Sequence, residues 1–543
     1  MAHYPFPLRK HLVQSRQGMV ATAHPLASQA GLRILQEGGN VVDATVATAA
    51  VLNVIDMDEC GLGGDAFLIV HLAGPDETWA LSGGGAAPTG ATRDYFTRRG
   101  ITMMPLEGIL SVSVPGVVDA YVTALERWGS MPLAELLQPA IFYAEEGFPL
   151  SEPVALSIDR SKKLDRFPTT RRVFRDPSNP ARPGGIFRQQ DLAGSLRLIA
   201  EGGREAFYEG PIAGAIVRQS AEEGDGLFTL EDLKAHRSEV YRPLQMDYRG
   251  FTVYETAPPS QGLIVLEALA LVEAFDLASM GFGSAETIHT MVEAKKLAFA
   301  DRNAYAGDPR FVDAPVSRLL SSAYAAERRR AIDPDRANNA PTAGTLADGD
   351  NTSSFVVADG EGNAVSFIQS VSAGYGSGVI AGETGIFLNN RAGRAFTLEE
   401  GHPNCIAPGK RPMYTLNCYM VFRDGRPTIV GGTPGGDRQP QHNFQVIASL
   451  LDFGFDAQEA VEAPRWSSLP GSDPATLGDP LTLMIERRFP EETVRELAAK
   501  GHRMDVVGDW GAGGEALIIV IDPDTGVLSS GCDPRCIGCA IGY

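Results

Sequence analysis

Basic charge is scarce in this chain. Across 543 residues, 47 Lys and Arg stand against 67 Asp and Glu, a formal net charge of −20 with a pI near 4.9. Phosphate contacts require a basic footprint, so this balance argues against a nucleic-acid partner. The local run Arg328-Arg329-Arg330 reads as a helix face rather than a nucleic-acid patch. Long apolar runs are missing too. Val41 to Val54 is short and holds Asp43 and Asn53, well below the ~20 residues a spanning helix needs. The first residues, MAHYPFPLRKHLVQSRQ, contain no apolar secretion core, so the expected location is cytoplasmic, with no membrane partner. There is no repeat or long linker, and 44% hydrophobic content suffices for a large core.

What is present centres on a threonine. Ala337 to Asn351 is rich in Ala, Asn, Asp and Gly without apolar periodicity and reads as an exposed, cleavable loop. Ser353 to Asp359 then reads as a strand, Gly360 to Asn363 as a turn and Ala364 to Ser370 as a second strand. Thr352 thus sits where a loop meets a sheet. If the Asn351-Thr352 bond were cut, the new α-amino group, with a reference pKa of roughly 7.7–8.0, would lie beside its own hydroxyl and could activate it. The plainer alternative is a threonine that merely opens a strand.

A second element of chemistry is Gly431 to Gln441, GGTPGGDRQPQ, between an expected strand at Thr428 to Val430 and a helix-like run at Phe444 to Leu451. Adjacent glycines in a turn can aim successive N–H groups at one point, as an oxyanion requires. Read as a phosphate loop, the stretch lacks the lysine and hydroxyl of GxxxxGK[ST]. The GLGG at Gly61 to Gly64 is followed by a strand-like AFLIV with no evident acidic ribose contact, which weakens a dinucleotide reading. Helices are expected at Gly116 to Trp128 and Ala285 to Arg302, the latter with Ile288, Met291, Val292 and Phe299 on one face, and strands at Tyr419 to Phe422 and Ala516 to Ile521.

TSSFVVAD, GNAV and GSGVIAGETGIFLNN, in this order from Thr352 to Asn390, together with EGGNVVDATVATAAVLNVID, GLGGDAF, SVPGVVDAY, PPSQGL, EAKKLAFADR and PGKRP, resemble the γ-glutamyltransferase family of N-terminal-nucleophile hydrolases from about residue 17 to the C-terminus. The resemblance implies a four-layer αββα sandwich. It also implies self-processing into chains 1–351 and 352–543, which form one intertwined heterodimer; a dimer of these heterodimers is left open. It implies Thr352 as nucleophile, Ser370 as a second hydroxyl bonded to it, Gly435 and Gly436 as oxyanion donors, and Asn389 and Asn390 as pocket residues. No metal or organic cofactor is needed. The implied substrate is a small amide of a γ-glutamyl or related acidic acyl group, as in glutathione hydrolysis, cleaved through an acyl-enzyme that water or an acceptor amine resolves.

Departures from the family pattern bear on the substrate. Gly84, in SGGGAAP, stands where glutathione-using members carry a carboxylate-gripping arginine, and glycine offers no such fork. Arg391 replaces a glutamine, Arg394 replaces the acidic residue that binds the substrate ammonium, and Tyr414-Thr415 replaces a Ser-Ser pair. If both arginines face the pocket, the acyl group is acidic without needing an α-amino group, as in oxamate amidohydrolases and glutaryl-type acylases. If they face outward, they are solvated surface charges. Asp437, Arg438 and Gln441 either bind substrate or hold the loop. Ser353, Ser354 and Ser370 replace Thr, His and Thr of the family pattern, so an uncut, non-catalytic relative is the alternative of a different class.

Of six cysteines, Cys532, Cys536 and Cys539 have CxxxCxxC spacing, which resembles the iron-sulfur cysteines of radical enzymes that cleave S-adenosylmethionine. They lie at the C-terminus, with no barrel after them to hold such a cofactor, and read as buried thiols. His24 and His442 could approach the site, but the threonine amine leaves neither needed as a base.

Overall fold

Side-chain alternation along the strand behind Thr352 sets the layering. Phe355 and Val357 enter an apolar cluster with helices on one side, while Val356 and Ala358 enter another cluster on the opposite face. A strand buried on both faces belongs inside a stack of layers. The computed structural model describes residues 4–224, 226–341, 352–471 and 479–543. Residues 342–351 of the expected loop, including the Asn351 side of the expected cut, lie outside the described residues.

Two seven-stranded antiparallel sheets form the centre. The first runs, in spatial order, Val13–Ser15, Leu528–Cys532, Leu517–Ile521, Arg426–Gly432, Tyr419–Arg423, Phe251–Glu255 and Leu244–Tyr248. The second runs Cys539–Gly542, Gly18–Thr22, Ser353–Asp359, Ala364–Ser370, Asp65–Leu72, Glu77–Ser82 and Glu239–Tyr241. Met19, Phe67, Ile69 and Ile368 of the second meet Met420, Phe422, Val430 and Ile519 of the first in a shared core. Outside the second sheet pack Pro25–Gln36, Val41–Ile55 and Gln190–Tyr208; outside the first pack Gly262–Val272, Ala285–Tyr305 and Arg438–Leu451. The order helix, sheet, sheet, helix is the αββα sandwich that the resemblance implies. Both sheets interleave strands from before and after residue 352.

The expected hairpin is observed at Ser353–Asp359 and Ala364–Ser370, paired Ser353 to Gln369 through Ala358 to Ala364. The expected helix is observed at Ala285–Tyr305 with Ile288, Met291, Val292 and Phe299 buried, and its other faces are covered as well, every residue from Thr287 to Arg302 being buried. Its charged residues are paired, Lys296 with Glu293 at 2.7 Å and Arg302 with Asp437. Val41–Ile55, whose apolar run is too short for a membrane, is a wholly buried helix opened by an Asn40–Asp43 capping box. It delivers the loop 56–64 to the end of the Thr352 hairpin, where Val371 N–H donates to Glu59 O at 3.2 Å and Tyr375 N–H to Asp58 O at 3.1 Å. Among the described residues no helix is long and apolar enough to cross a membrane.

Candidate active site

Thr352 is 2% exposed at the head of its strand. Its hydroxyl donates to Ser370 Oγ at 3.4 Å and accepts from Gln439 Nε2 at 3.1 Å. Strand register brings Ser370 to the open end of the hairpin, opposite Asp65 on the next strand, and Ser372 N–H donates to the Ser370 hydroxyl at 2.8 Å. The backbone N–H of Thr352 donates to the Glu59 carboxyl. Hydroxyl and nitrogen of one residue are therefore held by different groups.

Gly435 and Gly436 follow the strand Arg426–Gly432 with φ of +115° and +56°. Two consecutive left-handed positions are what glycine permits and other residues resist, and such a turn presents adjacent N–H groups to one side. Next comes the helix Arg438–Leu451 with Asp437 at its N-cap position, whose dipole adds positive potential there. Gln439, in its first turn, is the residue that reaches Thr352.

Three separate sequence blocks pin this turn. Gln261, of PPSQGL, donates through Nε2 to Gly436 O at 2.9 Å and also to Thr415 O. Arg302, of EAKKLAFADR, donates to Gln261 Oε1 at 2.7 Å and forms a fully buried ion pair with Asp437. Gln441 donates to Asp437 O at 2.8 Å and accepts from Ser468 N–H at 2.8 Å. Asp437 and Gln441 thus hold the loop. Arg438 lines the cavity beside Thr352.

On one side of Thr352 lies the region of the expected acyl pocket. Arg391 is buried, donating through Nε to Asp65 at 3.2 Å and through Nη1 to Thr415 Oγ1 at 3.0 Å; its Nη2 has no hydrogen-bond partner among the described residues. Burial pushes the Asp65 carboxyl up to about 6, against the pull of Arg391. Tyr414 is buried, donates its hydroxyl to Gly85 O, and lays its ring where a Cβ at Gly84 would sit, 2.5 Å from a ring carbon. The missing arginine and the tyrosine that replaces a serine are thus one exchange of volume. Asn389 and Asn390 serve backbone: the first bonds Ser113 and Gly63, the second Ala373 N–H and Leu106 O. The two arginines part company. Arg394 is half-buried near Lys163, whose pKa is brought down to about 8 by burial, with Glu107 opposing and Arg394 adding.

On the other side lies a cavity of about 550 Å³, lined by Thr352, Gly435 and Arg438 together with Asp56, Asp58, Glu59 and Glu515. Burial first, and then the neighbouring carboxyls, raise Glu59 and Glu515 well above the carboxylate range. Asp56 rises to about 7, mainly by burial and then by Asp58, with the Ser353 hydroxyl opposing. His24 lines the same cavity, but its Nδ1 caps the helix Pro25–Gln36 and burial lowers its pKa to about 4. His442 is buried, with Nε2 beside Ser467 Oγ at 3.0 Å.

The terminal cysteines have separate partners, Cys532 Sγ accepting from Ala540 N–H at 3.3 Å and the Cys536 thiol donating to Asp533 O at 3.5 Å. Among the described residues the one convergent group of metal-ligand types is His289, Glu293 and His502. Its atoms are already engaged, His289 with His502 at 2.8 Å and Glu293 with Lys296, and it shares no residue with the Thr352 cavity.

Sequence reasoning named Thr352, Ser370, Gly435, Gly436, Arg391 and Thr415, all of which lie in this network. It missed Glu59, Asp65, Gln261, Arg302 and Gln439. Gln261, Arg302 and Gln439 stand within blocks that resemble the family, and Glu59 in the acid-rich gap between two of them.

The family model described as gamma-glutamyltranspeptidase matches residues 27–543. The chain is 40% identical to the glutathione hydrolase-like YwrD proenzyme of Bacillus subtilis (strain 168), over 98% of this chain and 100% of that protein. It is 38% identical to the oxamate amidohydrolase proenzyme of Klebsiella pneumoniae, over 97% and 99%. The crystal structure of cephalosporin acylase from Bacillus halodurans superposes with a TM-score of 0.91 at 37% identity, covering 100% of this chain and 98% of that one.

Proposed function

The chain belongs to the gamma-glutamyltranspeptidase family of N-terminal-nucleophile hydrolases, enzymes that act on amide bonds, and from that premise we propose that Thr352 is its nucleophile and that it cleaves amides of acidic acyl groups. The observation that supports this most is the convergence on Thr352 Oγ1 of Ser370 and Gln439, with Gly435 on the same cavity.

Maturation comes first. Thr352 Oγ1 attacks the carbonyl carbon of Asn351, the peptide C–N bond gives way to an ester, and water hydrolyses the ester to leave chains 1–351 and 352–543. Each sheet contains strands from both chains, hydrogen-bonded side by side, so the products stay together as one unit. In turnover Oγ1 attacks the substrate carbonyl while the Thr352 α-amine takes its proton, and the Gly435 and Gly436 N–H groups stabilise the oxyanion. The amine then protonates the departing nitrogen. Water resolves the ester in hydrolysis; an acceptor amine resolves it in transfer.

Arg391 is proposed to read the acyl carboxylate. Its Nη2 has no hydrogen-bond partner among the described residues, and Asp65 and Thr415 fix its plane. Nothing acidic occupies the position where Arg394 stands, so an α-ammonium has no counter-charge there. This favours oxamate-like or glutaryl-like amides over γ-glutamyl ones. A cytoplasmic location belongs to the same proposal and is checked by fractionation.

The test is intact-mass spectrometry of wild type beside Thr352→Ala, then assay of both against γ-glutamyl-anilide, oxamate and glutaryl-amide. Fragments ending at Asn351 and starting at Thr352, absent from the variant, are expected, with turnover of an acidic acyl amide. An uncut, inactive wild type would assign the chain to the non-catalytic alternative.

A further inference from the structure

We propose that Glu59 is a positioning residue for the base of this enzyme, holding the α-amino nitrogen of Thr352 so that its lone pair faces Oγ1. The inference rests on Thr352 being the processed nucleophile.

A residue that is both nucleophile and base has a geometric difficulty. Its α-nitrogen, once freed, rotates about the N–Cα bond, and in only part of that rotation does the lone pair face the hydroxyl. Oγ1 is fixed by Ser370 and Gln439. For the nitrogen, Glu59 is a carboxyl acceptor already in contact, since it takes the Thr352 N–H in the uncut chain. Cutting the bond to Asn351 converts that N–H into one N–H of an amine and adds the lone pair. Retaining the first hydrogen bond stops that rotation and restricts where the lone pair can lie.

Glu59 is itself well anchored. Its backbone carbonyl accepts from Val371, the residue after Ser370, and its N–H donates to Asp56 O at 3.0 Å. The same strand end therefore carries both groups that flank Thr352, and an error in one is shared by the other.

The surroundings decide the charge. Asp56, Asp58 and Glu515 line the same cavity as Glu59, with Arg438, Arg535 and His24 around its wall. Burial and the three like charges favour a protonated Glu59. A neutral carboxyl accepts an N–H through its carbonyl oxygen without the pull of a full negative charge, which would hold the amine as ammonium and remove the base. Glu59 is thus suited to orient the amine while leaving it basic.

The experiment compares Glu59→Gln and Glu59→Ala with wild type, using intact mass for processing and kcat and KM against pH on the best acidic acyl amide. Glutamine mimics the neutral acid and keeps the acceptor. Glu59→Gln is expected to stay within about threefold of wild-type kcat, with the acid limb of the profile unmoved. Glu59→Ala is expected to lose about 10- to 100-fold in kcat with KM held, the range of a misplaced reacting group. Wild-type kcat in Glu59→Ala overturns the proposal, as does a loss in Glu59→Gln as deep as in Glu59→Ala, which would assign the role to charge. Should Glu59→Ala fail to fold, Glu59→Gln decides alone: a tenfold or greater fall overturns. A wild type not cut before Thr352 has no amine to position; intact mass separates that failure of the underlying reading from a processed variant with unaltered turnover.

Discussion

The two sides of Thr352 are built on opposite principles. On the proposed acyl side a buried cation, Arg391, is matched by one carboxylate, Asp65, and one hydroxyl, Thr415, with the ring of Tyr414 closing the wall. On the nitrogen side four carboxyls line an open cavity and carry raised pKa values. The first is a fixed, nearly neutral frame with one unused donor, suited to reading a shape. The second holds exchangeable protons, suited to a step in which an amine forms and leaves.

The sharpest way to break this contrast is Arg391→Ala. Activity on acidic acyl amides should fall at least about 10²-fold in kcat/KM, the scale for removing one partner of a buried charged contact, and stability should drop by about 3 kcal/mol because Asp65 is left buried and unpaired. Adding Asp65→Asn should restore the melting temperature without restoring turnover. Arg394→Ala, away from that frame, should change kcat/KM by less than about threefold; equal losses at both arginines would abolish the distinction between them.

A smaller effect on activity is expected from Arg302→Met, which strands Asp437 under the glycine turn. Unfolding should become easier by about 3–5 kcal/mol, and kcat should fall about tenfold or more with little change in KM, as expected when oxyanion donors are displaced. Denaturant melts and steady-state kinetics on one preparation read both.

The mildest test lies on the acidic side. Asp56 holds in the fold, up to about pH 7, a proton that the unfolded chain releases near its ordinary value of 3.8. The folded state therefore binds more protons across that window, and stability falls as pH rises through it. Asp56→Asn removes that contribution. The melting temperature of the variant relative to wild type should be higher at pH 8 than at pH 4.5, with a residual slope from Asp58 and Glu59; a pH-independent difference would deny the titration.

Legibility followed distance along the chain. Thr352 was readable from the loop that meets a strand there, whereas Ser370, Gly435 and Gly436 were named through the family resemblance; hairpin register sets Ser370 beside the strand that Thr352 opens. Glu59, Gln261 and Arg302 were not readable, since their meeting points are made by tertiary packing across more than a hundred residues, which no local pattern encodes. The helix Ala285–Tyr305 was legible as a helix, but the burial of Lys296, Arg302 and their partners, which covers its remaining faces, was not. Arg391 and Arg394, equivalent as letters, were separated only by Asp65, a residue 326 positions from Arg391 in the chain.

Gln261 carries one more consequence. A single side-chain amide grips both Thr415 O, on the proposed acyl wall, and Gly436 O, in the proposed oxyanion turn. A substrate that fits badly against Thr415 would tug the amide and tilt the turn, so discrimination between acyl groups would register in how fast bound substrate reacts and hardly at all in how tightly it binds.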